Sequence, residues 1–191
     1  MSGGPTSPHG ARRSTTRALL QVAAFAALQV IVIVVLMPVL GRLAAWFPPV
    51  YALVACTQTF LLFAARRFTG LAWGATLAAG ITALVCAPFT PLGWLLAVPL
   101  MTAGVLFDLV LRAAQRRRWT ERRDSLVSGV VVGAALFAVS LPVMSAEHLG
   151  PVILGLTLLA RVVATAAGAL LSARLVRQLE RVGVSRAVSP R

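Results

Sequence analysis

Few side chains in this sequence could do acid–base, nucleophilic or metal chemistry: it holds five acidic residues and two histidines in 191. Reaction chemistry needs convergent carboxylates, a hydroxyl or thiol beside a base, or metal ligands, each within hydrogen-bonding reach of a reacting atom. Here the acids are scattered. Asp108 sits in an apolar stretch, Glu121 and Asp124 lie within an arginine cluster, Glu147 adjoins His148 in a short polar segment, and Glu180 lies near the C-terminus. No two of them form an acid pair inside an apolar block. His9 falls in the N-terminal tail, and Cys56 and Cys86 have neither a CxxC partner nor a neighbouring histidine, so no haem, metal centre or disulfide framework is expected. No GxxxxGK[ST] loop is present to hold nucleotide phosphates. The inventory points away from an enzyme and implies neither cofactor nor metal.

Two groups of residues could instead bind. Arg161 falls about ten residues into an apolar helix, roughly 15 Å along it, where a charge costs at least ~2.5–3.5 kcal/mol to insert. Either it faces a water-accessible cavity and meets an anionic or acceptor group of a ligand, or it snorkels or pairs internally. Asp108 is expected to pair with Arg112, one helical turn later. Trp46, Phe47, Tyr51, Phe89 and Trp94 gather at one end of the apolar blocks. They read as an interfacial aromatic belt or as an aromatic-lined pocket, with Glu147 and His148 at the far rim and Thr57, Gln58 or Thr90 as polar fixers.

The elements that position these residues follow from composition. The chain is 59% hydrophobic and 12% charged, with a mean hydropathy of +0.88, too apolar for a water-soluble domain. Its apolar residues form blocks of roughly 17–25, which match the ~30 Å hydrocarbon core. The expected fold is all-α, a polytopic bundle of about six transmembrane helices. The spans fall near 18–40, 50–65, 71–87, 91–111, 126–143 and 151–174, the last with an amphipathic extension. Residues 1–16 read as a disordered basic tail, 17–183 as the transmembrane domain and 184–191 as a second tail. Pro38, Gly41 and Pro48-Pro49 bracket residues 41–47, expected to be a short interfacial piece within a substantial first outer loop.

The net charge of +13 comes wholly from arginine, since the sequence contains no lysine. Arg12, Arg13, Arg17, Arg66, Arg67, the 116–123 cluster and the C-terminal arginines all fall on one side of the alternating spans, leaving Arg42 on the other. The positive-inside rule therefore puts both termini in the cytoplasm. That rule accounts for the charge, so no nucleic-acid partner is inferred. Small residues recur at helical spacing: Ala23 and Ala27, Gly129 and Gly133, and Ala164, Gly168 and Ser172, each set aligned on one face for close packing.

Six spans in so short a chain, the stretch VAAFAALQ with Ala23 and Ala27, a first outer loop and the ending GALLSARLVRQLERVGV together resemble the substrate-binding S components of energy-coupling-factor (ECF) vitamin transporters. The resemblance covers roughly residues 15–183. It implies a subunit that captures a vitamin or related micronutrient from outside and does no chemistry on it. It further implies docking of the Ala23/Ala27 face on a coupling transmembrane subunit, with two cytoplasmic ATPases driving transport. Ligand residues differ between S components, so the candidates Arg161, Trp46, Tyr51, Gln58, Trp94, Glu147 and His148 come from the residue reading above. Two other classes stay open. A structural scaffold of the cell-envelope or cell-shape machinery would use the Arg112–Arg123 segment and the C-terminal helix for partner contacts. A small membrane enzyme or self-sufficient carrier would need a catalytic constellation or an inverted repeat.

Overall fold

A computed structural model describes residues 8–91, 93–143 and 150–183. These residues form α1 (Pro8–Trp46), α2 (Pro48–Thr57), α3 (Phe60–Thr69), α4 (Gly74–Cys86), α5 (Ala97–Arg116), α6 (Glu121–Ser140) and α7 (Pro151–Arg181), with short 3-10 turns at Ala87–Phe89, Gly93–Leu96 and Leu141–Val143. No strand occurs among the described residues. Five stretches are long and apolar enough to cross a bilayer: Thr15–Leu43, Pro49–Thr69, Gly93–Arg116, Glu121–Ser140 and Pro151–Arg181. The protein is thus an all-helical, multi-pass membrane protein. The sixth apolar segment, Gly74–Phe89, is shorter. At 1.5 Å per residue it reaches roughly 24 Å, less than the ~30 Å core.

Several boundaries differ from the sequence expectation. Pro38 neither ends nor brackets a helix: α1 runs through it to Trp46. A proline removes one backbone hydrogen bond, a loss that a long, mostly lipid-facing helix absorbs. Only Phe47 separates α1 from α2, so the expected substantial first outer loop is absent. At the other end of α1 the helix starts at Pro8, inside the stretch expected to be a disordered tail. The arginine-rich loop shrinks to residues 117–120, because α5 continues to Arg116 and α6 starts at Glu121. Thr120 caps α6, its Oγ1 accepting from Arg123 N at 3.4 Å, with Glu121 and Asp124 in the first turn where carboxylates favour the helix dipole.

The expected second span is two helices in line. Thr57 Oγ1 donates to Val54 O at 2.6 Å and Thr59 Oγ1 to Cys56 O at 2.7 Å, while Gln58 N and Thr59 N bond three residues back, to Ala55 O and Cys56 O. Hydroxyl back-bonding and i to i−3 bonds tighten one turn here. Beyond it α3 is central, touching α1, α4, α5 and α7. Eight of its ten residues are buried, Leu61, Leu62, Phe63, Ala64, Ala65, Arg66, Phe68 and Thr69. Phe63 stacks on Phe107 of α5 with ring centres 3.9 Å apart, and Phe25 of α1 meets Phe68 edge-on at 5.8 Å.

The α6–α7 pair shows what its small residues do. A Cβ on Gly129 would stand 2.3 Å from Ala166 Cα, and one on Gly133 would stand 2.8 Å from Val162 Cα. Those glycines bring the helices to backbone contact, and Thr165 Oγ1 then donates across the seam to Gly129 O at 2.7 Å. The small-residue spacing on α6 is therefore a helix-packing seam, as its sequence implied.

Candidate functional site

Two clusters of buried polar side chains lie at opposite levels of the bundle. The first surrounds Arg161. Its α7 packs against α2, and Cys56 Sγ lies 3.8 Å from the Arg161 carbonyl oxygen, which fixes the level of Arg161 beside the tightened turn of the α2–α3 helix. Side chains on a helix lean toward its N-terminus, so the guanidinium reaches toward the start of α2. There its Cζ lies 5.9 Å from the Tyr51 ring centre. Arg161 is only 6% exposed, and its Nε has no hydrogen-bond partner among the described residues. No carboxylate of the described residues pairs with it: Asp108, Asp124 and Glu121 are bound to Arg66, Arg67 and Arg177, and Glu180 lies at the far end of α7.

Of the other candidate ligand residues, Tyr51 is half-buried beside Arg161 and Gln58 is buried at the tightened turn. Trp46 and Trp94 are 87% and 67% exposed, and Phe47 and Phe89 are exposed as well. The structure thus brings Arg161 and Tyr51 together, with Gln58 near the same level, while the two tryptophans stand exposed, away from that pair. Glu147 and His148 lie outside the described residues. Ala23 and Ala27 are exposed on α1, whereas Val22 and Ala26 beside them are fully buried.

The second cluster sits at the arginine-rich end. Gly70, with φ of 69°, ends α3 in the left-handed conformation and lets the chain reverse into α4. On α5, a Cβ at Gly104 would stand 2.9 Å from Ala75 O, so glycine there lets α5 lie against the first turn of α4. Asp108, one turn further along the same face, then reaches that turn's free N–H groups. Its carboxylate accepts from Ala75 N at 3.3 Å, Thr76 N at 2.9 Å and Thr76 Oγ1 at 2.7 Å. Arg66 adds an ionic contact, Nε to Oδ1 at 3.1 Å, with side chains 4% and 0% exposed. The N–H is poorly aligned, since Arg66 Nε makes no hydrogen bond by geometry.

The expected Asp108–Arg112 pair is therefore corrected. Asp108 turns to the α4 N-terminus and Arg66, because a helix start with free N–H groups and a buried cation together outcompete a neighbour exposed to solvent. Arg112 instead donates Nε–H to Ala72 O at 3.2 Å and lies over Trp73, Cζ 3.7 Å from the ring centre. Arg67 bonds Asp124 at 2.7 Å and Ser125 at 2.9 Å, joining α3 to α6. From sequence, Arg66 and Arg67 fall in the inner segment that ends the second span, and nothing there indicates this network. The signal that could have found it is the spacing of Gly104 and Asp108, a gap and an acceptor on one helix face.

Gln29 of α1 was also missed. It is fully buried, and neither amide atom has a hydrogen-bond partner among the described residues. Among the described residues no group of three or more His, Cys, Asp and Glu side chains could hold a metal ion. Comparison with protein families, curated proteins and solved structures finds no match, so no relative's activity bears on either cluster.

Proposed function

We propose that this chain is the membrane-embedded substrate-binding subunit of an ECF-type vitamin or micronutrient uptake transporter. It crosses the prokaryotic cell membrane six times with both termini inside, and relies on a separate coupling subunit and ATPases. The observation that carries the reading is the Arg161 locus: a buried guanidinium without a described counter-charge, beside Tyr51 and a tightened turn in the central helix. Interrupted helices and unmatched charges at membrane depth are where transporters build ligand sites. The exposure of Ala23 and Ala27 supports the docking role, since a small-residue face turned away from its own bundle is open to a partner helix. The absent first outer loop removes one feature of the resemblance and leaves the ligand an entry between helix ends rather than beneath a lid.

The test is ligand retention by Arg161→Ala against Arg174→Ala, Arg174 being exposed near the arginine-rich end of α7. The reading expects Arg161→Ala to lose the bound small molecule and Arg174→Ala to keep it. Equal, small effects would make Arg161 a snorkelling residue and sink the ligand site. A cell-envelope scaffold is the second reading, favoured by the exposure of Trp46 and Trp94, large apolar surfaces open to a partner. It expects no co-purifying small molecule.

A further inference from the structure

The redirection of Asp108 leaves Arg112 without the acid expected for it. Arg112, Arg116 and Arg117 line a shallow, open cleft along one face of the last two turns of α5, floored by Leu109 and Ala113. Among the described residues none of the three arginines has a salt-bridge partner, the ion pairs there being those of Arg66, Arg67 and Arg177. Arg112 is held in place at two points, the Ala72 carbonyl and the Trp73 ring, so its guanidinium is fixed rather than swinging free.

Leu109 is 45% exposed and Trp73 41%, both apolar surfaces beside the cleft that face away from the bundle. From Leu109 to Arg116 the helix rises roughly 10 Å, the distance over which hydrocarbon gives way to headgroups. A tryptophan at that level is an interfacial anchor. The cleft therefore presents an apolar wall at the depth of acyl chains and three unpaired cations at the depth of phosphates.

We infer that this cleft is a specific site for an anionic glycerophospholipid, whose phosphodiester sits among Arg112, Arg116 and Arg117 while an acyl chain runs along Leu109 and Trp73. The site needs only that the chain spans a bilayer and does not depend on the transport reading. A fixed cation holds a headgroup more tightly than the diffuse attraction of a basic loop, because Arg112 loses little side-chain freedom on binding. The arginine fork suits the phosphate oxygens.

The experiment is native mass spectrometry of the full chain extracted from nanodiscs of phosphatidylcholine mixed with phosphatidylglycerol, counting each lipid that stays bound. The wild type should retain phosphatidylglycerol in preference to phosphatidylcholine, and Arg116→Gln with Arg117→Gln should lower that retention roughly 25-fold, about 5-fold for each arginine near the surface. Arg118→Gln with Arg122→Gln removes the same charge outside the cleft and should leave retention within about 2-fold of wild type. Removing arginines from a cytoplasmic segment can also disturb insertion, so Ala113→Trp serves as the second variant. It keeps every charge, fills the cleft and should abolish the preference. Equal retention of the two lipids by the wild type, or equal losses in the two charge-matched doubles, would overturn the site. Displacement of the lipid by inorganic phosphate alone would make it a phosphate site rather than a lipid one, and co-elution of an acidic protein in its place would assign the cleft to a protein partner.

Discussion

Asp108→Ala removes the acceptor of three hydrogen bonds at the start of α4 and the counter-charge of Arg66 in one step. Both members of the pair are essentially shielded from solvent. Breaking such a pair from one side strands the other charge, at a cost of about 3–5 kcal/mol. Asp108→Asn keeps an oxygen toward the Ala75 and Thr76 N–H groups and gives up the charge, so its cost falls between wild type and Asp108→Ala. The informative variant is the double replacement Arg66→Met with Asp108→Leu. It removes both charges together and leaves only the uncapped first turn of α4, a residual loss of about 1–3 kcal/mol. The double mutant is therefore expected to be more stable than either single mutant. Unfolding free energies from titration with sodium dodecyl sulfate in mixed micelles, followed by far-ultraviolet circular dichroism, measure all four proteins. Loss of less than about 1 kcal/mol in Asp108→Ala would refute the structural weight given to this pair. A double mutant whose loss equals the sum of the single losses would refute the coupling itself.

Gly129→Ala places a methyl group against the Ala166 backbone, where the approach of 2.3 Å leaves no room, and should cost about 1–3 kcal/mol by the same titration. Gly155→Ala, where a Cβ meets nothing within 4 Å, serves as the control and should be neutral or stabilising. Gln29→Leu removes a buried amide without described partners and should raise stability by about 1–3 kcal/mol; a loss instead would mean that the amide has a partner in the native membrane. Ala23→Leu or Ala27→Leu adds bulk to an exposed face, so the isolated subunit should keep its stability and bound ligand while assembly with the coupling subunit fails. Normal assembly of those variants would count against docking on this face.

The bundle was legible because lipid imposes a simple grammar: long apolar blocks bounded by arginines, and glycines where helices touch. Gly129 and Gly133 announced the α6–α7 seam because a four-residue spacing of glycines has one mechanical use in a membrane helix. The boundaries were less legible. Pro38 and Pro48-Pro49 promised a loop, yet proline restricts only the residues around it and a continuing helix can tolerate it. The tightened turn at Gln58 and Thr59 depends on hydroxyls choosing backbone acceptors, which threonine at those positions permits without requiring. Arg66 read only as the end of the second span because its partner lies on another helix, and no local spacing connects position 66 to position 108. The candidate ligand site was half legible: the depth of Arg161 followed from counting residues, and its meeting with Tyr51 required the packing of α7 on α2.

Uptake by this chain requires a bound small molecule and a coupling partner. The most direct measurement is purification of the native protein in mild detergent, followed by mass spectrometry of co-purifying proteins and of released small molecules. The transport account predicts a coupling membrane subunit with paired ATPases, together with a vitamin-like compound that disappears from Arg161→Ala. Recovery of cell-envelope morphogenesis proteins with no small molecule would contradict it and transfer the assignment to a scaffold.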